Sequence, residues 1–143
     1  MSGRKLTPET MMAKAEKACL DARLLLENGS SDGATNRAYY AMFDAARAAL
    51  LASGASVDLE QVRTHAGLIG AFGNYLIKNG PVSKEMGVFL RRSLKVRMTA
   101  DYDGDSVELE DARKIVEQAE NFVAAMRVQF LADNNDNEID FSP

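Results

Sequence analysis

Apolar side chains return every three or four residues in five separate segments of this sequence. That spacing places them on one side of an α-helix. The clearest example lies near the C-terminal end, and its stripe consists of Ala112, Ile115, Val116, Ala119, Phe122, Val123, Met126 and Phe130. No segment shows the sustained alternation of a half-buried strand. The pattern predicts an all-α fold, an antiparallel bundle of about five helices joined by short connections.

Local signals predict where these helices begin and end. Thr7-Pro8-Glu9 is typical of a helix start, with an N-cap, a proline at the first helical position and an acid in the first turn. Gly80-Pro81 cannot continue a helix. The five predicted helices run from Pro8 to about Glu27, from near Asp32 to near Ser53, from Thr64 to Asn79, from the Ser83 cap to about Asp101, and from near Glu108 to about Phe130.

Charge divides the 143 residues into two parts. The net charge is −4, and residues 132–143 contain four acids and no base. Removing those four charges leaves residues 1–131 formally neutral, so we predict a helical domain over 1–131 followed by an acidic tail over 132–143. The balance argues against a strongly basic nucleic-acid binder but leaves room for a local basic patch. No apolar run is long enough to cross a bilayer, and we expect a cytoplasmic protein.

Cysteine and histidine usage excludes several kinds of site. With one cysteine, Cys19, and one histidine, His65, the chain can form neither an internal disulfide nor a Cys-rich or His-rich metal site. No glycine-rich phosphate loop and no Ser/His/Asp order is present. We expect no metal and no cofactor, and we expect Cys19 to be a buried structural thiol.

Three segments together resemble a known family. They are residues 36–51 (NRAYYAMFDAARAALL), 64–73 (THAGLIGAFG) and 97–102 (RMTADY). In order and spacing they are similar to the HEPN domain family, in the subgroup found beside minimal nucleotidyltransferases. The resemblance implies a bundle that dimerises through its helices. It also implies metal-independent ribonuclease activity, often that of a toxin paired with a nucleotidyltransferase antitoxin.

The ribonuclease signature of that family is an arginine followed, after four to six residues, by a histidine. The resemblance assigns the arginine to Arg37 and the histidine position to Asp44. Seven residues of helix place the two on one face, about 10.5 Å apart along the axis, so a symmetric dimer would be needed to bring them to one phosphodiester. Arginine would stabilise phosphate charge while histidine moves a proton.

An aspartate at this position changes the expected chemistry. An ordinary Asp is a weak base at neutral pH and adds negative charge beside a phosphate. Asp44 stands between Arg37 and Arg47 on one helical face, so we expect it to be held ionised by an ion pair with them and to neutralise the site. Ligand binding and proton transfer are the alternative roles for Asp44.

Other candidates surround this motif. His65 could supply acid–base chemistry, although a structural role at the start of the third helix is the simpler interpretation. Tyr40, with Tyr39, could stack on a base, yet aromatic residues at helical spacing more often belong to the core or a dimer interface. Arg37, Tyr40 and Arg47 are the predicted RNA- or nucleotide-binding residues.

Two further groups are predicted on the fourth helix. Arg91, Arg92 and Lys95 form a basic stretch that could contact RNA phosphates, although a solvated face is the simpler interpretation because acids elsewhere balance it. Arg97 stands four residues before Asp101 and can pair with it, a structural role.

These observations predict a HEPN-type homodimer with a degenerate ribonuclease motif. It would act as a binding or regulatory module with a nucleotidyltransferase, a nucleotide or RNA. The alternative is an active metal-independent endoribonuclease toxin that uses Arg37 with Asp44 or His65. A third hypothesis, a purely structural interaction protein, predicts no binding of RNA or nucleotide.

Overall fold

The computed structural model describes residues 6–103 and 106–131, and within helix α4 it leaves the side chains of 100–103 undescribed. These residues form an all-helical bundle without strands, which confirms the predicted fold class. The elements are α1 (Pro8–Glu27), α2 (Ser31–Ala52), a 3-10 turn (Gln61–Arg63), α3 (His65–Ala71), a π-helical segment (Phe72–Lys78), α4 (Lys84–Asp103) and α5 (Leu109–Phe130). The predicted acidic tail lies outside the described residues.

Helix α2 is the centre of the bundle and packs against α1, α4 and α5. Its buried alanines allow the neighbouring helices to approach closely; they are Ala34, Ala38, Ala41, Ala45, Ala46, Ala48 and Ala49. Two ion pairs, Arg23–Glu120 and Arg127–Glu16, show that α1 and α5 run antiparallel. Larger side chains complete the core, among them Phe72 and Phe122 with ring centroids 5.5 Å apart.

The first two helix boundaries follow their sequence signals. The Thr7 side chain accepts from the backbone N–H of Thr10 at 3.1 Å, and the Thr10 hydroxyl accepts from Thr7 N–H at 3.0 Å, which is a reciprocal cap. After α1, Gly29 adopts a φ of +81°, a conformation that costs glycine little. The connection from α1 to α2 is therefore short enough to make them antiparallel neighbours.

The third predicted helix is only partly regular. Helix α3 ends at Ala71 and continues as the π-helical segment, where a single α-helix from Thr64 to Asn79 was expected. The wider turns leave both Phe72 and Leu76 buried against the core. Tertiary packing, which periodicity does not describe, therefore overrides the regular helix here.

A close backbone approach fixes the start of α3. A Cβ at Gly67 would lie 1.8 Å from the carbonyl oxygen of Gln61, so only glycine allows the 3-10 turn to rest there. Thr64 caps the helix by accepting from Gly67 N–H at 3.0 Å. The turn and the cap together hold His65, the first residue of α3, in place.

Two apolar side chains lie nearer the surface than the core. Met98 of α4 is 43% exposed, and Cys19, expected to be buried, is half-buried. Burial, reinforced by the nearby Glu120 and Glu16, raises the pKa of the Cys19 thiol to about 12. Among the described residues, no helix combines the length and the apolar character that a membrane span requires.

Candidate functional site

An open groove of about 760 Å³ runs between α1 and α2, and we call it the α1–α2 groove. Its lining residues are Ala13, Lys14, Lys17, Ala18, Asp21, Arg37, Tyr40, Phe43, Asp44 and Arg47. The α2 residues among them recur every three or four positions, so one helical face carries them all. The structure thus brings together four of the five predicted site residues, and only His65 lies elsewhere.

Two arginines of the groove rest on aromatic rings of their own helix. The guanidinium carbon of Arg37 is 5.6 Å from the centre of the Tyr40 ring, and that of Arg47 is 5.8 Å from the centre of the Phe43 ring. Within the described part of the chain, neither forms an ion pair with a carboxylate. The Nε of Arg47 is buried without a hydrogen-bond partner there. Both arginines are therefore oriented by rings while their charges remain available to an anion.

Asp44 behaves differently from the sequence prediction. Its pKa is raised, chiefly by burial, while the positive charges of Lys14, Arg47 and Arg37 act in the opposite direction. No ion pair joins Asp44 to Arg37 or Arg47 among the described side chains. The predicted ion pair is therefore absent among the described side chains, and loss of hydration outweighs, in the pKa of Asp44, the positive charges that are near but not in contact.

Helix α1 contributes residues that the sequence analysis missed. Lys14, Lys17 and Asp21 line the groove opposite the arginines, and Lys17 pairs with Asp21 at 3.4 Å. Their spacing of three and four residues places them on one polar face of α1. That periodicity was visible in the sequence, but the juxtaposition with α2 depends on the packing of the two helices.

His65 lies on another side of α2, against Tyr39. The Tyr39 hydroxyl is 2.5 Å from Nδ1 of His65, and the imidazole packs edge-on against the rings of Tyr39 and Phe43. Burial, together with the positive charge of Arg97, lowers the pKa of His65, and burial raises that of Tyr39. A neutral imidazole accepting from a protonated phenol fits both shifts, and it matches a structural role for His65.

Arg97 of α4 connects the two sides of α2. Its guanidinium donates to Asn36 Oδ1 at 2.8 Å and to the Tyr40 hydroxyl at 3.4 Å. The same group lies 5.6 Å from the centre of the Tyr39 ring and 5.2 Å from that of Tyr40. Sequence analysis assigned Arg97 only to a pair with Asp101, whose side chain lies outside the described residues. Contacts across about 60 positions carry no local signal that could have revealed this arrangement.

Tyr39 and Tyr40 therefore have different roles, one in the core and one beside the arginines. Tyr39 is fully buried, as expected of a core residue, and its ring contacts Tyr40 at a centroid distance of 5.6 Å. Tyr40 is half-buried, with the guanidinium groups of Arg37 and Arg97 close to its ring. The ring of Tyr40 consequently orients arginines, and a base would have to displace one of them to stack on it.

The basic stretch of α4 lies outside the α1–α2 groove. Arg91, Arg92 and Lys95 are exposed and are not among the residues that line it. In the described ranges, no three carboxylate, cysteine or histidine side chains gather closely enough to hold a metal ion.

Comparison with known proteins gives one consistent family. The HEPN domain model matches residues 8–129. A UPF0332 protein of Thermotoga maritima is 36% identical over 128 residues, which cover 88% of this chain and 92% of that protein. Two proteins of Methanocaldococcus jannaschii bear names that call them putative toxins. One is 34% identical, with coverage of 80% of this chain and 82% of that protein; the other is 26% identical, with coverage of 90% and 88%.

Proposed function

Because this chain belongs to the HEPN domain family, we propose that it is a dimeric RNA-binding module with a degenerate ribonuclease motif and a nucleotidyltransferase partner. The observation that supports this best is the α1–α2 groove, where ring-oriented arginines form no ion pair with a carboxylate of the described residues. Planar guanidinium groups with free donors are suited to phosphate oxygens, which they can bind in pairs.

The charge of the groove favours a polyanion. Arg37, Arg47, Lys14 and Lys17 contribute four positive charges, against the carboxylates of Asp21 and Asp44. Lys17 is already paired with Asp21. The remaining cations lie along two helices, which suits the repeating phosphates of an RNA strand better than a single anion.

The same groove explains why cleavage would be weak. The proton-transfer position holds Asp44, and the imidazole of His65 is engaged by Tyr39 on another side of α2. Within one chain, no histidine therefore faces the phosphate site formed by Arg37. Since the two motif positions lie about two turns apart on α2, dimerisation would pair each Arg37 with the partner chain's Asp44 and not with a histidine.

Binding of a fluorescently labelled, structured RNA in EDTA tests the proposal through its anisotropy. We expect Arg37→Ala and Arg47→Ala each to weaken binding about tenfold, the value of one charge-assisted contact. The slope of log affinity against log salt should fall by about 0.9 for each lost contact in duplex regions. Arg113→Ala is the matched control, because Arg113 is exposed on α5 and paired with Glu110 at 3.4 Å. Unchanged affinity in the double variant Arg37→Ala/Arg47→Ala would refute the site.

A second candidate function is an active metal-independent endoribonuclease toxin. Two relatives bear the name putative toxin, and the raised pKa of Asp44 makes this carboxylate a stronger base than an ordinary aspartate. Cleavage of RNA in EDTA separates the two functions. Cleavage by the unaltered protein that disappears in Arg37→Ala and Asp44→Asn, but persists in Arg113→Ala, would establish the enzyme. An inert protein that gains cleavage on Asp44→His would establish the degenerate motif.

A further inference from the structure

A second groove, of about 600 Å³, lies between α3 and α4, and we call it the α3–α4 groove. Its floor is apolar and includes Ala66, Ile69, Leu94 and Met98. Met98 is 43% exposed and, with its apolar neighbours in the groove, forms a continuous apolar surface. Two cations, Arg91 and Lys95, stand on its rim.

The two rim cations are unbalanced within the part of the chain that the structure describes. Among the described residues neither Arg91 nor Lys95 forms an ion pair, although both are exposed and spaced so that they lie on one face of α4. The groove therefore combines an apolar floor with an unbalanced positive edge. Its chemistry suits an acidic peptide that carries a few apolar side chains.

The chain itself contains such a peptide. Residues 132–143 hold four acids and no base, and Ile139 and Phe141 are separated by Asp140. In an extended peptide, alternate side chains point to opposite sides, so Ile139 and Phe141 share one side while Glu138 and Asp140 share the other. The apolar side of such a peptide matches the floor of the groove, and its acidic side can reach the cationic rim.

The length of the segment allows this contact. Ile139 lies eight positions beyond Leu131, the last described residue, and an extended chain of eight residues spans up to about 26–29 Å. That distance is about the diameter of a small domain. The end of α5 lies beside the first half of α1, where Arg127 pairs with Glu16.

We propose that residues 132–143 dock in the α3–α4 groove, with Ile139 and Phe141 on its apolar floor and Glu138 and Asp140 against Arg91 and Lys95. The groove borders the position of Arg97, since Met98 belongs to its floor and is the next residue of α4. A docked acidic segment would thus bring negative charge close to Arg97, which contacts Tyr40 of α2. The docking itself does not depend on the proposed RNA-binding function.

Paramagnetic broadening in the full-length protein tests the docking. A nitroxide attached to Ser142→Cys should broaden the backbone amide resonances of Ile69, Gly70 and Met98. Cys19 should not react under the same conditions, because its thiol is half-buried with a pKa of about 12. Mixing ¹⁵N-labelled chains with unlabelled spin-labelled chains shows whether the segment comes from the same copy or a neighbour, and broadening in either sample supports the docking.

Variants of the groove and variants of residues 132–143 identify the contact. Ile139→Ser/Phe141→Ser should abolish the broadening, and Arg91→Glu/Lys95→Glu should lower the docked population about tenfold, as two exposed ion pairs would. Adding Glu138→Lys/Asp140→Lys to the second variant should restore it by reversing both charges. All these positions are exposed or lie in the segment itself, so the bundle stays folded. Groove resonances that remain sharp, or broadening that survives Ile139→Ser/Phe141→Ser, would overturn the proposal.

Discussion

Gly67 and Gly70 occupy the same short helix, yet the structure predicts opposite effects for the same substitution. A Cβ at Gly67 would lie 1.8 Å from the Gln61 carbonyl oxygen and 2.8 Å from the Thr64 hydroxyl, whereas a Cβ at Gly70 meets nothing within 4 Å. Gly67→Ala must therefore move either the 3-10 turn or the start of α3. Gly70→Ala adds a methyl group to open space.

The magnitude of each effect follows from these distances. Gly70→Ala should stabilise the protein by about 0.5–1 kcal/mol, the difference between glycine and alanine in a helix. Gly67→Ala gains the same preference but loses the Thr64 cap, about 1 kcal/mol, and strains the contact with Gln61, about 1–3 kcal/mol. We expect Gly67→Ala to be about 2–4 kcal/mol less stable than Gly70→Ala.

Urea unfolding followed by circular dichroism measures both free energies. Because the displaced turn precedes His65, Gly67→Ala should also shift the NMR resonances of the imidazole, while Gly70→Ala should leave them unchanged. Equal stability of the two variants, or an unperturbed His65 in Gly67→Ala, would refute the argument that this close approach holds the start of α3.

Three further predictions concern titratable groups. Burial raises the pKa of Asp44 above 3.8, so its contribution to the free energy of unfolding is complete below that pH and declines as pH rises through the folded pKa. Urea unfolding should therefore show Asp44→Asn to be more stable than the unaltered protein at pH 7 and equal to it in acid. The lowered pKa of His65 gives the opposite pH dependence, because its contribution to stability is complete above pH 6.5 and declines as pH falls through the folded pKa. Tyr39→Phe should raise this pKa in an NMR titration and lower the free energy of unfolding by about 1 kcal/mol at pH 7.5, since Nδ1 loses its donor. Cys19 should react with a thiol-specific disulfide reagent at pH 8 only after unfolding, and fast reaction in the folded protein would contradict the raised pKa.

The helices could be predicted because their signals are local. Thr7, Pro8 and the apolar stripe of α5 act within a few turns, and the structure places α1 and α5 where those signals indicate. The π-helical segment Phe72–Lys78 could not be predicted in this way. It depends on how Phe72 and Leu76 meet side chains of distant helices, including Phe122.

The candidate site was predictable on α2 and not beyond it. Arg37, Tyr40, Asp44 and Arg47 share a face through helical spacing alone, and the structure groups them in one groove. The contribution of Lys14 and the contacts of Arg97 arise from packing between helices, so no local pattern reveals them. The pKa of Asp44 was misjudged for a related reason, because sequence shows the neighbouring charges but not the loss of hydration.

The alanines of α2 also determine where this protein can change in evolution. Seven of them are buried where three helices meet, and a larger side chain at any of these positions would overpack the contact. Mutational freedom on α2 therefore lies at its exposed and half-buried positions, and Arg37, Tyr40, Asp44 and Arg47 are the ones that line the α1–α2 groove. Related chains can acquire new chemistry by exchanging those side chains while the bundle stays the same. An aspartate at position 44 changes the chemistry of that face and leaves the alanine contacts unaltered, although its carboxylate loses hydration.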